Sequence, residues 1–192
     1  VSAVEESSRA YANYLSLREQ VYRKLGLEEN GELIITPGDP AVTALAKQIA
    51  GNLSPDWDEF WRDYKRMYDW VLTNIEYSSD TNLPILPEDP GDALLWMSEY
   101  WKLPQETLED LKGDCEDMSG LLASLLLSYN EEQYSVWMVV IRGSEGDGHV
   151  AVASPVQGDL MVILDPAGRY YSGSPGSLTT SYSVSIAVSR WL

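Results

Sequence analysis

The 192-residue sequence predicts an α+β domain, with helices first and an antiparallel sheet after them. Up to about Tyr129, apolar residues recur at helical spacing. Beyond Asn130 the chain turns to β-branched, partly alternating runs of roughly 4–8 residues divided by turn residues. An apolar share of 44% with seven tryptophans fits a chain that buries a core.

The elements follow in order. Val4, Tyr11, Tyr14, Leu15, Leu17, Val21 and Leu25 fall at helical intervals before Gly26, predicting a first helix. EENGELIITPGDP is a turn-rich connector, and AVTALAKQIAG predicts a short helix closed by Gly51. Ser54 stands as an N-cap with Pro55 at the first helical position. The run that follows sets Trp57, Phe60, Trp61, Tyr64, Tyr68, Val71, Leu72 and Ile75 on one broad apolar face. SSDTNLPILPEDPGD reads as loop, residues 93–100 as a short helix, and residues 104–111 as another. Lys112-Gly113 breaks the chain before a helix over 115–129. YSVWMVVI, HVAVASPV, DLMVIL and YSVSIAV are the expected strands, separated by turns such as GSEGDG and QGD.

Thirteen basic against thirty acidic residues give a net charge of −17. Phosphate-backbone binding needs clustered lysine and arginine, so nucleic acid is excluded as a partner. Cationic partners, divalent cations and plain solubility are all compatible with this charge. No apolar run approaches the ~18 residues of a membrane span. The single cysteine forms no internal disulfide. The chain opens at Val1 without a methionine, so a preceding segment is expected, which favours an extracytoplasmic location. The sequence carries no signal for oligomeric state.

The only cysteine lies in LKGDCEDMSG (111–120) and the only histidine in GDGHV. Asp114 occupies the expected N-cap, with Cys115, Glu116 and Asp117 opening the helix. The helix dipole favours a thiolate there, whereas the three acids disfavour it. A working nucleophile therefore needs His149 close by, or a cation that masks the acids. A cysteine beside leucines also reads as a small buried hydrophobe. His149 opens one expected strand and Asp165 ends the next. Antiparallel neighbours would set the two side by side, where a carboxylate fixes the tautomer of a general-base imidazole. Cys, His and Asp can also bind zinc, but the intervals of 34 and 16 residues between them match no short ligand spacing.

YWKLPQETLEDLKGDCEDMSGLLASLLL (100–127), GHVAVA, VILDPAGRYY and DWVLTNIEYSSD (69–80) together resemble the transglutaminase-like branch of the papain-like superfamily. The nearer likeness is to the bacterial and archaeal transglutaminase-like cysteine proteinases. It covers about residues 55–170. It implies a papain-like, transglutaminase-core fold over 54–192, with the cysteine helix packed on the sheet, preceded by a helical extension over 1–53.

The resemblance also implies a thiol acyl-transfer site acting on a protein or peptide substrate. Cys115 would attack a carbonyl carbon, His149 would move the proton, and Asp165 would orient His149. The oxyanion would be held by the Cys115 N–H plus a side-chain donor, for which Gln105, Trp101 and Tyr77 are the candidates. Hydrolysis by a cysteine protease or amidase is the leading expectation, and transglutaminase-type amine transfer the alternative. A non-catalytic papain-like binding or adaptor module is the rival from another class. In the calcium-dependent members, acids flanking the cysteine help bind the ion. That carries over to Asp114 and Glu116 as possible calcium ligands, with helix capping as the competing role for Asp114. No cofactor is required for the chemistry itself.

Overall fold

A computed structural model describes residues 3–24, 34–98, 100–142, 148–155 and 161–172. Its elements in order are α1 (Ala3–Lys24), α2 (Pro40–Ala50), α3 (Trp57–Asn74), β1 (Glu76–Tyr77), β2 (Leu83–Ile85), β3 (Leu95–Met97), α4 (Pro104–Asp110), β4 (Lys112–Gly113), α5 (Cys115–Tyr129), β5 (Trp137–Arg142), β6 (Gly148–Pro155), β7 (Met161–Asp165) and β8 (Tyr170–Tyr171). The architecture is α+β. The strand expected at 182–188, the QGD turn and most of GSEGDG lie outside the described residues. Among the described residues, no helix is long and apolar enough to cross a membrane.

The chain divides into two compact units, residues 1–33 with 80–101 and residues 34–79 with 102–192. The boundary expected at 53/54 falls inside the second unit, between α2 and α3. In the first unit, β2 and β3 form an antiparallel pair with Pro84 opposite Trp96. The hydroxyl of Tyr14 on α1 donates to Pro87 O at 2.6 Å, and Arg18 Nε donates to Leu86 O at 3.2 Å. The helix expected over 93–100 is absent, and β3 stands in its place. So short a segment gains too few internal hydrogen bonds to offset helix nucleation, whereas a strand partner satisfies its backbone directly.

The second unit is built around α5. The run MSGLLASLLLSY is apolar all round, as a helix enclosed on every side must be. Leu121, Leu122, Leu125 and Leu126 are fully buried, each contributing about 2 kcal/mol of hydrophobic stabilisation. Against α5 pack Val42 and Ala46 of α2, and Phe60, Tyr64, Met67, Tyr68 and Val71 of α3. The third wall is a four-stranded antiparallel sheet ordered β5-β6-β7-β8, with Val140 opposite Val150 and Val152 opposite Leu164. Alternation sends Val150, Val152, Val162 and Leu164 toward α5, while Val139, Ala151 and Ala153 gather in a second cluster.

Local sequence sets the helix ends, with two departures from expectation. Asp39 caps α2 by accepting from Ala41 N and Val42 N, and Gly51 closes it at φ 79°, where a side chain would be strained. The cap of α3 is Asp56, not Ser54. The Asp56 carboxylate accepts from Glu59 N at 2.8 Å, and Ser54 Oγ is instead taken by Asp56 N. Trp57, expected on the buried face, is 56% exposed because it precedes the turn at which α3 reaches the core.

At the far end of α5 the buried polar groups satisfy one another. Tyr129 donates to Asp63 Oδ2 at 2.6 Å, and Arg66 pairs with Asp63 Oδ1. Asn130, the helix C-cap, donates to the Tyr64 hydroxyl and to Tyr134 O.

Candidate active site

Two ladders bring the Cys115 region into register with the rest of the second unit. The parallel pair β1–β4 sets Tyr77 opposite Gly113, tying the end of α3 to the residues just before Cys115. On the other side, β7 pairs with β6 only from Val152 onward, which leaves Val150 without a strand partner on that edge. The first turns of α5 take its place. Ser119, one turn after Cys115, donates to Val150 O at 3.0 Å, and the Val150 backbone lowers the pKa of the Cys115 thiol. His149 is the residue immediately before Val150.

His149 and Asp165 lie side by side, as antiparallel pairing implies: Nε2 and Oδ2 are 2.8 Å apart. An ionised carboxylate has no proton to donate, so this bond requires Nε2–H and leaves Nδ1 as the basic nitrogen. Burial opposes protonation of His149, but the Asp165 bond dominates and holds its pKa above the ordinary value, with a further contribution from the Glu116 charge. Asp165 is fixed in turn by the Gly168 amide, which donates to Oδ1 at 2.7 Å across the turn after β7. A Cβ at position 168 would lie 2.2 Å from Asp165 Oδ2, so only glycine fits. The Asp-Pro-Ala-Gly string carried that signal in the sequence, as an aspartate turn closed by glycine.

The thiol environment is less ordinary. Cys115 is half-buried, and its Sγ donates to Glu116 Oε2 at 3.1 Å. Burial first, then this bond and the charges of Glu116 and Asp114, push the thiol up to about 12, against a smaller lowering by the Val150 backbone. Glu116 is itself raised to about 8, by burial and then by its hydrogen bond with Asp114. Among the described residues, Cys115 and His149 share no hydrogen bond; each spends its bond on a carboxylate.

Asp114 occupies the N-cap position of α5, but its side chain makes no capping hydrogen bond. Asp114 Oδ1 and Glu116 Oε1 are both buried without a hydrogen-bond partner among the described residues. Two adjacent buried carboxylates with spare oxygens are the donor type that a hard cation such as calcium takes, and they fit part of its oxygen shell. Asp117 serves the scaffold by accepting from Lys102 N at 2.7 Å.

The three oxyanion candidates separate. Tyr77 lies opposite Gly113 in the β1–β4 pair, and partial burial, then the charges of Cys115 and Asp114, raise its hydroxyl. Gln105 Oε1 accepts from the Thr36 hydroxyl at 3.4 Å, and no interaction joins Gln105 to Cys115 among the described residues. Trp101 belongs to the first unit and is 37% exposed. The Val150 backbone and Ser119 were missed in the sequence, where nothing local marks a strand backbone as a partner of a distant helix.

The sequence profile of the Transglutaminase-like domain matches residues 43–170, two-thirds of the chain. No curated protein matches. Among similar solved structures is an inferred cysteine protease from Cytophaga hutchinsonii, 16% identical with a TM-score of 0.43, over 66% of this chain and 37% of that one. An inferred protease from Parabacteroides distasonis is 14% identical with a TM-score of 0.44, over 79% of this chain and 26% of that one. Calcium-bound LapG from Legionella pneumophila is 16% identical with a TM-score of 0.41, over 74% of this chain and 81% of that one. The chain thus spans about a third and a quarter of the first two. At such identities and TM-scores, none of the three bears on the chemistry.

Proposed function

The chain belongs to the transglutaminase-like domain family, and from that premise we propose that it is a cysteine-dependent acyl-transfer enzyme that hydrolyses peptide or amide bonds. The observation that carries the reading is the bond from the sole histidine to Asp165, 2.8 Å long, on the residue next to Val150, whose carbonyl accepts from Ser119 one turn after the sole thiol.

Cys115 Sγ attacks the carbonyl carbon as its proton passes to His149 Nδ1. Asp165 holds the ring in the Nε2–H tautomer and stabilises the imidazolium that forms. The Cys115 N–H at the start of α5 and the Tyr77 hydroxyl donate to the oxyanion. His149 then protonates the leaving nitrogen, the C–N bond breaks, and a thioester remains on Cys115. Water, deprotonated by His149, adds to the thioester, releasing the carboxylate and restoring the thiol.

Asp114 and Glu116 would hold a calcium ion, whose charge offsets the carboxylates that suppress the thiolate. Without such an ion the acids oppose activation, since each negative neighbour disfavours a second negative charge on sulfur.

The test is iodoacetamide labelling of the native protein from about pH 5 to pH 9, with and without calcium, beside His149→Ala. Rapid labelling near neutral pH that needs His149 and rises with calcium is the expected result. Slow labelling in every condition, increasing only on unfolding, would overturn the reading and leave a binding module. Supplying a fluorescent primary amine with a glutamine-containing peptide separates hydrolysis from amine transfer, because only transfer leaves the amine attached.

A further inference from the structure

A second site stands at the opposite end of α5 from the thiol. The helix rises about 21 Å from Cys115 to Tyr129. Beyond it the chain doubles back through Glu131 and Glu132, both left-handed at φ 53° and 58°. Side chains seldom adopt that conformation, and it persists where the surroundings enforce it. Here Asn130, fully buried, donates to Tyr134 O at 2.9 Å and to the Tyr64 hydroxyl at 2.7 Å, and Glu132 N donates to Leu127 O at 3.0 Å.

The turn so held sets Gln133 and Tyr134 against the start of α3. Leu53, Pro55, Trp57, Phe60, Gln133 and Tyr134 line a cavity of about 360 Å³, within the size range of small-ligand sites. Trp57, Phe60 and Tyr134 meet edge to face, with centroids 5.2 to 5.4 Å apart. Phe60 is buried beneath, while Trp57 and Tyr134 keep 56% and 38% of their surface exposed. The floor is pinned by Ser54 N, which donates to the Tyr129 hydroxyl at 3.2 Å.

The residues next to the lining are mostly acidic, with Arg62 in electrostatic reach of Asp56 and Asp58. Asp56 and Asp58 flank Trp57, and Glu131 and Glu132 precede Gln133. All four are exposed, and none forms a salt bridge among the described residues. Glu131 has only a 3.5 Å contact from Gln133 Nε2. No lysine or arginine occurs between Lys47 and Arg62, or between Lys112 and Arg142.

We propose that this pocket binds an arginine side chain of a basic peptide segment. The guanidinium stacks on the exposed faces of Trp57 and Tyr134, its methylene stem lies along Leu53 and Pro55, and the rim carboxylates offset its charge. Arginine suits the site better than lysine because its planar, weakly hydrated head stacks on aromatic rings. The site is independent of any reaction at Cys115.

The experiment is calorimetric titration of Cys115→Ala protein, in which no acyl transfer intervenes, with the peptide acetyl-Gly-Leu-Arg-Leu-Gly-amide. The same peptide with citrulline, a neutral isostere, is the control. We expect saturable binding of the arginine peptide that weakens with salt, at least about threefold weaker binding of citrulline, and about fivefold loss in Trp57→Ala. Glu131→Gln with Glu132→Gln, both on exposed side chains, should cost about threefold and flatten the salt dependence. Absence of saturable binding, equal binding of citrulline, or full affinity in the Glu131/Glu132 double variant would each overturn the proposal. Those arms decide it even if Trp57→Ala proves unstable.

Discussion

At the N-terminal end of α5, Asp114, Glu116 and Asp117 are buried together beside a thiol, and both Asp114 Oδ1 and Glu116 Oε1 are left without a hydrogen-bond partner among the described residues. At the C-terminal end, Asp63, Tyr64, Tyr129 and Asn130 are buried as deeply. There the carboxylate meets a tyrosine and Arg66, the hydroxyl of Tyr64 meets an amide, and only Asn130 Oδ1 is left over. Both ends sit on one hydrophobic helix, so apolar packing does not distinguish them. The difference is whether buried charge is neutralised within the fold. One end uses polar groups to fasten α3 to α5, and the other holds an acid, Glu116, whose ionisation the fold opposes. Uncompensated buried acids clustered around a nucleophile-type side chain are the pattern expected of a working site, where a second charge completes the balance.

That contrast can be broken most decisively at the N-terminal end. Asp165→Asn keeps the shape of the side chain but also lets it hold the imidazole in the wrong tautomer. Acylation of Cys115 by a p-nitrophenyl ester should fall by about 10²–10⁴-fold, with the urea midpoint nearly unchanged. A parallel loss of stability would mean that Asp165 is structural instead.

The C-terminal end should answer in the opposite currency. Asp63→Ala strands the Tyr129 hydroxyl donor and leaves Arg66 only its pair with Glu59, and should destabilise by about 2–4 kcal/mol in urea unfolding without changing the esterase rate per folded molecule. If Asp114→Asn destabilised as much, the two ends would not differ as described.

Gly168→Ala is expected to act in between. Its Cβ would displace the Asp165 carboxylate it touches, lowering acylation about tenfold with a loss of about 1 kcal/mol in stability. Equal acylation in the variant would show that the Asp165 position is not critical.

The smallest effect is a slope. Glu116 is raised from 4.5 to about 8 in the folded chain, so the neutral acid is the form the fold prefers. Its stabilising contribution is therefore present in full below about pH 4.5 and is lost as pH rises through about 8. Glu116→Gln should flatten that part of the curve of Tm against pH, and calcium should reverse the slope in the wild type. An identical slope in the Gln variant would assign the pH dependence to another group.

Much of this was legible in the sequence, for identifiable reasons. The cysteine helix was placed at 115–129 because an unbroken apolar run lies between Gly113-Asp114 and Asn130, and its ends coincide with α5. The closeness of His149 and Asp165 followed from two alternating strands with a short connection, since antiparallel pairing sets the start of one beside the end of the other. Residues 93–100 were misread because Leu94, Leu95 and Trp96 offer no period long enough to distinguish helix from strand. Ser54 and Asp56 are both good acceptors, and only the path of the chain selects Asp56 as the cap.

What the sequence by itself determined was therefore the set of elements whose signal is local and repeated: the amphipathic α3, the buried α5, the strands β5, β6 and β7, and the residue types able to do thiol chemistry. Tertiary structure alone decided which groups those residues meet. It left Asp114 without a capping bond, turned the Val150 backbone toward α5, paired Tyr77 with Gly113 just before the thiol, and exposed Trp57 over a pocket. The physical reason is that periodicity is written along the chain, whereas burial and hydrogen-bond pairing depend on residues tens of positions apart that meet only when the whole unit folds.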